Sequence, residues 1–262
     1  MTDGTNSSEI LQPIPVERRS FERRSLTSQE QISATKDWVR TQREKVENGI
    51  LTQDEYDELI ARSMVAREKL TERANEKRRK DPMTGRLNKG AYFEEIDKLI
   101  YAGTPFGMMI VDIDHFKVVN DTYGHATGDS VLIQTTQNLN LHLRQARPDT
   151  AQNDQIFRYG GEEFVVLLPG MHSEEDLEKV SEKIRIAVSA SPYSVNKDSR
   201  NIHIPVTVSI GGGIYRQERQ PELRDAEGKI IDPKIVFFDK VDTKGLYQAK
   251  EGGRNKTVIV SP

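Results

Sequence analysis

The chain contains no cysteine, which excludes disulfides, thiolate zinc sites and cysteine nucleophiles together and leaves oxygen or imidazole as the only side-chain metal ligands. Aromatic residues make up only 6%, with a single tryptophan. No apolar run approaches the roughly 20 residues that span a bilayer. The opening MTDGTNSSEI has no basic start followed by an apolar stretch, so a cytoplasmic protein without a membrane span is expected. Neither sign of charge dominates: 38 Lys and Arg stand against 41 Asp and Glu. A net charge of −3 provides no global basic field, so no specific nucleic-acid partner is expected.

What is present is polar for a compact globule, with 35% hydrophobic and 30% charged residues in 262. That length admits one or two domains, and the charge points to an extended, solvated helical part. Residues 1–27 carry Pro13, Pro15 and the basic run Arg18 to Arg24 without useful periodicity, and are expected to form a disordered basic tail. From Ser28 to Lys80 the pattern is helical. Ile32, Trp38, Val39 and Val46 lead to a stop at Asn48-Gly49. Thr52 with Glu55 then forms a capping-box pattern, and Tyr56, Leu59, Ile60, Met64 and Leu70 fall on one stripe. Two helices joined by a short turn bury themselves poorly alone, so residues 28–80 are expected to act as a dimerising or signal-transmitting helical hairpin.

After Lys80 the periodicity changes. Phe106 to Ile113, Ile156 to Tyr159, Glu163 to Leu168 and Ile204 to Gly212 read as strands, with helices over 88–101, 127–144 and 173–190. The interleaving predicts an α/β (α+β) fold: a ferredoxin-like sheet with helices on one face.

Two stretches carry chemistry. In Phe106 to Asp114 a buried-looking strand ends in carboxylates, and alternation puts Asp112 and Asp114 on one face, able to meet a hard cation. For Asp114 a helix-capping role is at least as good a reading, which leaves Asp112 as the ligand candidate. In Arg158 to Phe164, Gly160-Gly161 between apolar runs reads as a tight hairpin turn followed by Glu162 and Glu163. Strict alternation sends those two acids to opposite faces, although a turn can let both approach one metal.

These stretches resemble a known family. GGEEF at 160–164 is similar to the GGDEF signature of diguanylate cyclases, and DIDHFKVVNDTYGHATGD at 112–129 resembles the family's nucleotide-binding block. Asp81 to Asn88 and Tyr247 to Asn255 agree in order and spacing, so the resemblance covers residues 81–262, the expected catalytic domain. It implies a polymerase-palm-like, antiparallel-centred sheet with flanking helices and two Mg2+ ions per site, with Mn2+ as a possible substitute. The implied reaction condenses two GTP into cyclic di-GMP at a homodimer interface. It implies metal binding by Asp112, the Ile113 carbonyl, Glu162 and Glu163, with Glu162 also the general base. Lys117, Lys250 and Arg254 are implied as phosphate contacts and Asn120 and Asp129 as guanine readers, since a carboxylate accepts from the N1–H and N2–H2 edge that adenine lacks. His125 is read either as a nucleotide neighbour or as a loop-fixing histidine.

Two departures stand out. The family's inhibitory RxxD element is Ala151-Gln152-Asn153-Asp154, so the arginine grip on product is lost unless Arg144 or Arg147 replaces it. The 216–239 connection is long, with room for an extra hairpin around Asp225 to Lys229. The rival functions are a noncatalytic GTP-binding or protein-interaction module, and a binder of DNA or membrane through the Arg18–Arg24 and Lys77–Lys80 clusters.

Overall fold

The computed structural model describes residues 28–143, 153–197, 200–219, 227, 229 and 231–260. The basic tail, Arg144, Arg147, Ala151 and most of the expected 225–229 hairpin lie outside the described residues. The chain divides into two units, Met1–Lys77 and Arg78–Pro262.

The first unit contains α1 (Ser28–Glu47) and α2 (Gln53–Arg78), the latter ending at the unit boundary. Local sequence explains the turn between them. Gly49 takes φ +70°, and the amides of Gly49 and Ile50 donate to the carbonyls of Val46 and Lys45, closing α1 with a Schellman motif. Glu55 accepts from the Thr52 amide at 2.8 Å, and the Glu55 amide donates to Thr52 Oγ1 at 3.2 Å: the reciprocal capping box expected from the sequence. The expected apolar stripe is only half right. Leu51, Leu59 and the polar Gln42 and Ser63 are buried, whereas Met64 is 69% exposed and Leu70 41%.

The second unit contains, in chain order, β1 (Leu87–Asn88), α3 (Lys89–Tyr101), β2 (Phe106–Ile113), α4 (Phe116–Tyr123), α5 (His125–Leu141), β3 (Gln155–Arg158), β4 (Glu163–Pro169), α6 (Glu174–Ser189), β5 (Tyr193–Lys197), β6 (Arg200–Ile204), β7 (Val208–Tyr215), α7 (Pro233–Lys240), α8 (Tyr247–Glu251) and β8 (Thr257–Val260). The six-stranded sheet runs β1-β3-β4-β2-β7-β8. Its centre, β4-β2-β7, is antiparallel, and β1 and β8 join as parallel edges. The inner order β7-β2-β4-β3 is that of a split βαβ sheet, as expected.

Helices cover both faces, not one. All eight residues of β2 are buried. Met109, Val111 and Ile113 join a cluster with α4, α5 and α6, while Phe106, Met108 and Ile110 join a second with α3 and α7. A strand apolar at every position has two faces to cover. The expected strand at 204–212 is also two elements. Ile204 ends β6, which pairs with β5 in a separate two-stranded sheet, and the chain re-enters the main sheet as β7 at Val208.

Candidate active site

The site is built at the C-terminal end of β2. Antiparallel register sets Asp112 opposite Glu163 of β4 on one side and opposite Ser209 of β7 on the other. Asp112 is buried, and its Oδ2 lies 2.8 Å from Lys250 Nζ. Burial pushes the Asp112 carboxyl up to about 6, the Lys250 contact opposes that, and the charges of Glu162 and Glu163 add to the rise. Three carboxylates thus share one field with a single lysine against Asp112, and this all-oxygen, cation-deficient donor set suits a hard divalent ion. Among the described residues no three acids or histidines already form a metal-holding cluster, so the donors are neighbours without a preassembled cage. Ile113 is buried, pairs with Val208, and its amide faces the Glu162 carbonyl at 3.4 Å.

The hairpin between β3 and β4 presents the glutamates. The amides of Tyr159 and Gly160 both donate to the Glu163 carbonyl, at 2.9 and 3.2 Å. Neither Gly160 nor Gly161 lies in the left-handed region, so this is not the tight two-residue turn expected from Gly-Gly. Gly160 serves close approach instead. A Cβ there would stand 2.6 Å from Glu163 Oε2.

Two supporting residues were not singled out from sequence. Arg158 donates through Nε and Nη2 to the Gly161 carbonyl at 3.3 and 2.9 Å, and through Nη1 to both oxygens of Asp81 at 3.2 Å. Asp81 in turn accepts from the Thr84 amide and hydroxyl at 2.8 and 2.7 Å. Burial pushes the Asp81 carboxyl up, but the Thr84 hydrogen bonds and Arg158 together bring it below its ordinary value. Both residues sit inside the quoted motifs, but the 77 positions separating them hide the pairing.

The α4–α5 corner holds the second group. Gly124, at φ +87°, breaks the two helices apart, and its amide donates to the Asn120 carbonyl at 2.8 Å. A Cβ at Gly128 would fall 1.9 Å from Asn120 Oδ1, so the Asn120 amide lies directly against the residue preceding Asp129. His125 and Asp129 are one turn apart on α5, the former exposed and the latter half-buried. Lys117 is exposed on α4.

Lys250 and Arg254 come from the end of a different helical run. A π-helical turn at Val241–Leu246 lies flat on β7, because Gly211 and Gly245 leave their backbones in contact: a Cβ on Gly245 would meet Gly211 Cα at 2.9 Å. α8 then delivers Lys250 to Asp112. The helix stops at Gly252, so Arg254 is exposed beyond it and does not share a helical face with Lys250. Asp114 does not cap α4. The position before α4 is His115, without a side-chain cap, and the Asp114 carboxylate instead accepts from Thr207, Ser209 and the Asn255 amide.

A family model described as "Diguanylate cyclase, GGDEF domain" matches residues 79–231. The chain is 35% identical over 184 residues to the probable diguanylate cyclase DgcT of Escherichia coli K12, covering 69% of this chain and 35% of that protein. It is 34% identical over 184 residues to the response regulator PleD of Caulobacter vibrioides, covering 68% and 35%. The chain therefore matches only about a third of the length of these two relatives. Among solved structures, it resembles the coiled coil and GGDEF domain of DgcB from Caulobacter crescentus in complex with c-di-GMP. That match has a TM-score of 0.58 and 27% identity, and covers 78% of this chain and 97% of that one. With the signature turn, the carboxylate pair across β2 and β4 and the extent of these matches in hand, the chain belongs to the GGDEF diguanylate cyclase family.

Proposed function

We propose that this chain condenses two GTP molecules into cyclic di-GMP and releases two pyrophosphates, each copy of the domain holding one GTP at a homodimer interface. The observation that carries the reading is the buried Asp112 set opposite Glu163, with Lys250 on its carboxylate. Two Mg2+ ions, or Mn2+, would be held by Asp112, the Ile113 carbonyl, Glu162 and Glu163, and when bound would supply charge neutralisation and Lewis acidity. Glu162, half-buried beside the signature turn, takes the proton of the ribose 3′-hydroxyl. That oxygen attacks the α-phosphorus of the other GTP, and the bond from the α-phosphorus to pyrophosphate breaks. Lys117, Lys250 and Arg254 bind phosphate oxygens, and Lys250 is released from Asp112 as the nucleotide and its counter-ions arrive. Asn120 and Asp129 read the guanine edge, and His125 flanks the same nucleotide.

Residues 28–80 form the module that brings two copies together, and residues 81–262 form the catalytic domain. The exposed Met64, Val65 and Leu70 of α2 support this pairing. With Ala151 where relatives carry arginine, the activity escapes feedback by its product.

The test is incubation of the whole chain with GTP and Mg2+, followed by chromatographic detection of cyclic di-GMP. Product should form in the wild type, disappear in Glu162→Gln and Asp112→Ala, and resist added cyclic di-GMP. Tight GTP binding without product at high protein concentration would favour a noncatalytic module.

A further inference from the structure

Three consecutive residues after α8 have positive φ: Gly253 at 106°, Arg254 at 63° and Asn255 at 43°. Two of them carry a Cβ, and for the arginine in particular that conformation is strained. Something must hold the turn in place, and two side chains from distant elements do. Asp114 Oδ2 accepts the Asn255 amide at 2.9 Å. The same carboxylate is itself fixed by Thr207 Oγ1 and Ser209 Oγ, each at 2.7 Å, and the Asp114 amide donates to the Thr207 carbonyl at 2.9 Å. On the other side, Arg185 of α6 donates from Nη1 to Asn255 Oδ1 at 2.8 Å, while Glu182 accepts from its Nε and Nη2 at 2.8–3.1 Å. Asn255 is thereby pinned by both its backbone and its side chain, and Arg254 sits between that pin and the helix end, its own amide on the Ala249 carbonyl at 3.1 Å.

We infer that Asp114 and Arg185 are positioning residues: through Asn255 they hold a strained left-handed turn that presents the Arg254 guanidinium to the triphosphate of GTP. This rests on the reading of Arg254 as a phosphate contact. Its consequence is specific to the site. Asp114 lies two residues beyond Asp112 on the same chain segment, so one carboxylate binds the strand end to the turn that carries the cation. An arginine on a long flexible stem gains pre-organisation only if its backbone is fixed.

The test uses the whole chain with Asp114→Ala, Asp114→Asn and Arg185→Met, each alone and combined with Arg254→Ala. It reads kcat and KM for GTP, the Kd of GTP in the Glu162→Gln background, and amide exchange across residues 252–256. Asp114→Ala and Arg185→Met should speed exchange there and raise KM and Kd about tenfold, the scale of one charge-assisted contact. Asp114→Asn should stay near wild type, because an amide oxygen still accepts from Asn255 while its nitrogen faces the Ser209 hydroxyl. In the Arg254→Ala background neither substitution should weaken GTP further. Losses that add fully to that of Arg254→Ala, or unchanged exchange at 252–256, would overturn the inference. If Asp114→Ala does not fold, Arg185→Met, at a half-buried position on α6, carries the same comparison. A wild type that binds GTP but makes no cyclic di-GMP refutes the proposed activity alone, since the Kd arm still reads the positioning; a wild type that does not bind GTP refutes both.

Discussion

Among the described side chains of the α1–α2 hairpin the buried apolar ones are Leu51 and Leu59, accompanied by Gln42 and by Ser63, whose hydroxyl has no hydrogen-bond partner. In the second unit β2 alone buries eight consecutive residues, and each face of the sheet has its own cluster, neither containing any residue before Met83. One unit closes its core within itself; the other leaves Met64, Val65 and Leu70 to water. A helix pair with so little buried apolar surface is of the kind that association would stabilise, whereas the residues assembled at the site all come from the second unit.

That contrast can be broken or sharpened in order of effect. The largest change is expected at the site: Glu162→Gln should lower cyclic di-GMP formation by about a thousandfold, within the usual range for a general base, while calorimetry shows an unchanged unfolding midpoint. Activity and stability falling together would mean that site and fold are not separable. Next, Leu167→Ala in the second cluster should cost about 3 kcal/mol in urea unfolding, because Leu167 is fully buried. Deleting residues 1–77 should leave the sheet unit folded, with an unchanged far-ultraviolet β signature. Its cyclase activity should fall about a hundredfold at low protein concentration and recover as concentration rises, as expected for lost effective concentration. A concentration-independent truncated enzyme would remove the assembling role of the hairpin.

Smaller effects test the local devices. Thr52→Ala removes the hydroxyl that accepts the Glu55 amide while keeping the backbone amide that donates to Glu55, and should destabilise the hairpin by about 1 kcal/mol, read as helix melting. The smallest effect concerns acid. Asp81 is held below its ordinary value in the folded chain, so its contribution is present above about pH 4 and is lost as pH falls below that. Asp81→Asn should flatten this part of the stability profile, and an unchanged profile would show that the Arg158 contact adds nothing to the fold.

The run Phe106 to Asp112 is apolar at nearly every position, a pattern of two covered faces that a split βαβ sheet with helices on one face does not satisfy. Asp114 fitted a helix cap by type and spacing; its real partners are 93, 95 and 141 residues away. Met64 and Leu70 matched a helical period, but a period says which face they share and not what covers it.

What the amino-acid order alone determined are features closed by neighbours within a few residues. These are the Schellman stop at Asn48-Gly49, the Thr52–Glu55 box, the strands near 106–113, 156–159 and 163–168 with the three long helices among them, and the signature motifs that mark the family. Their physics is local: a φ available to glycine, a side chain reaching its own backbone, a period of two or of 3.6. Tertiary structure alone decided that Asp112 faces Glu163 with Lys250 on its carboxylate, that Arg158 locks the signature turn to Asp81, and that Asp114 and Arg185 meet on Asn255. Those contacts join segments far apart in the chain, and only the closing of the sheet, with its register and its buried faces, brings them within hydrogen-bond reach.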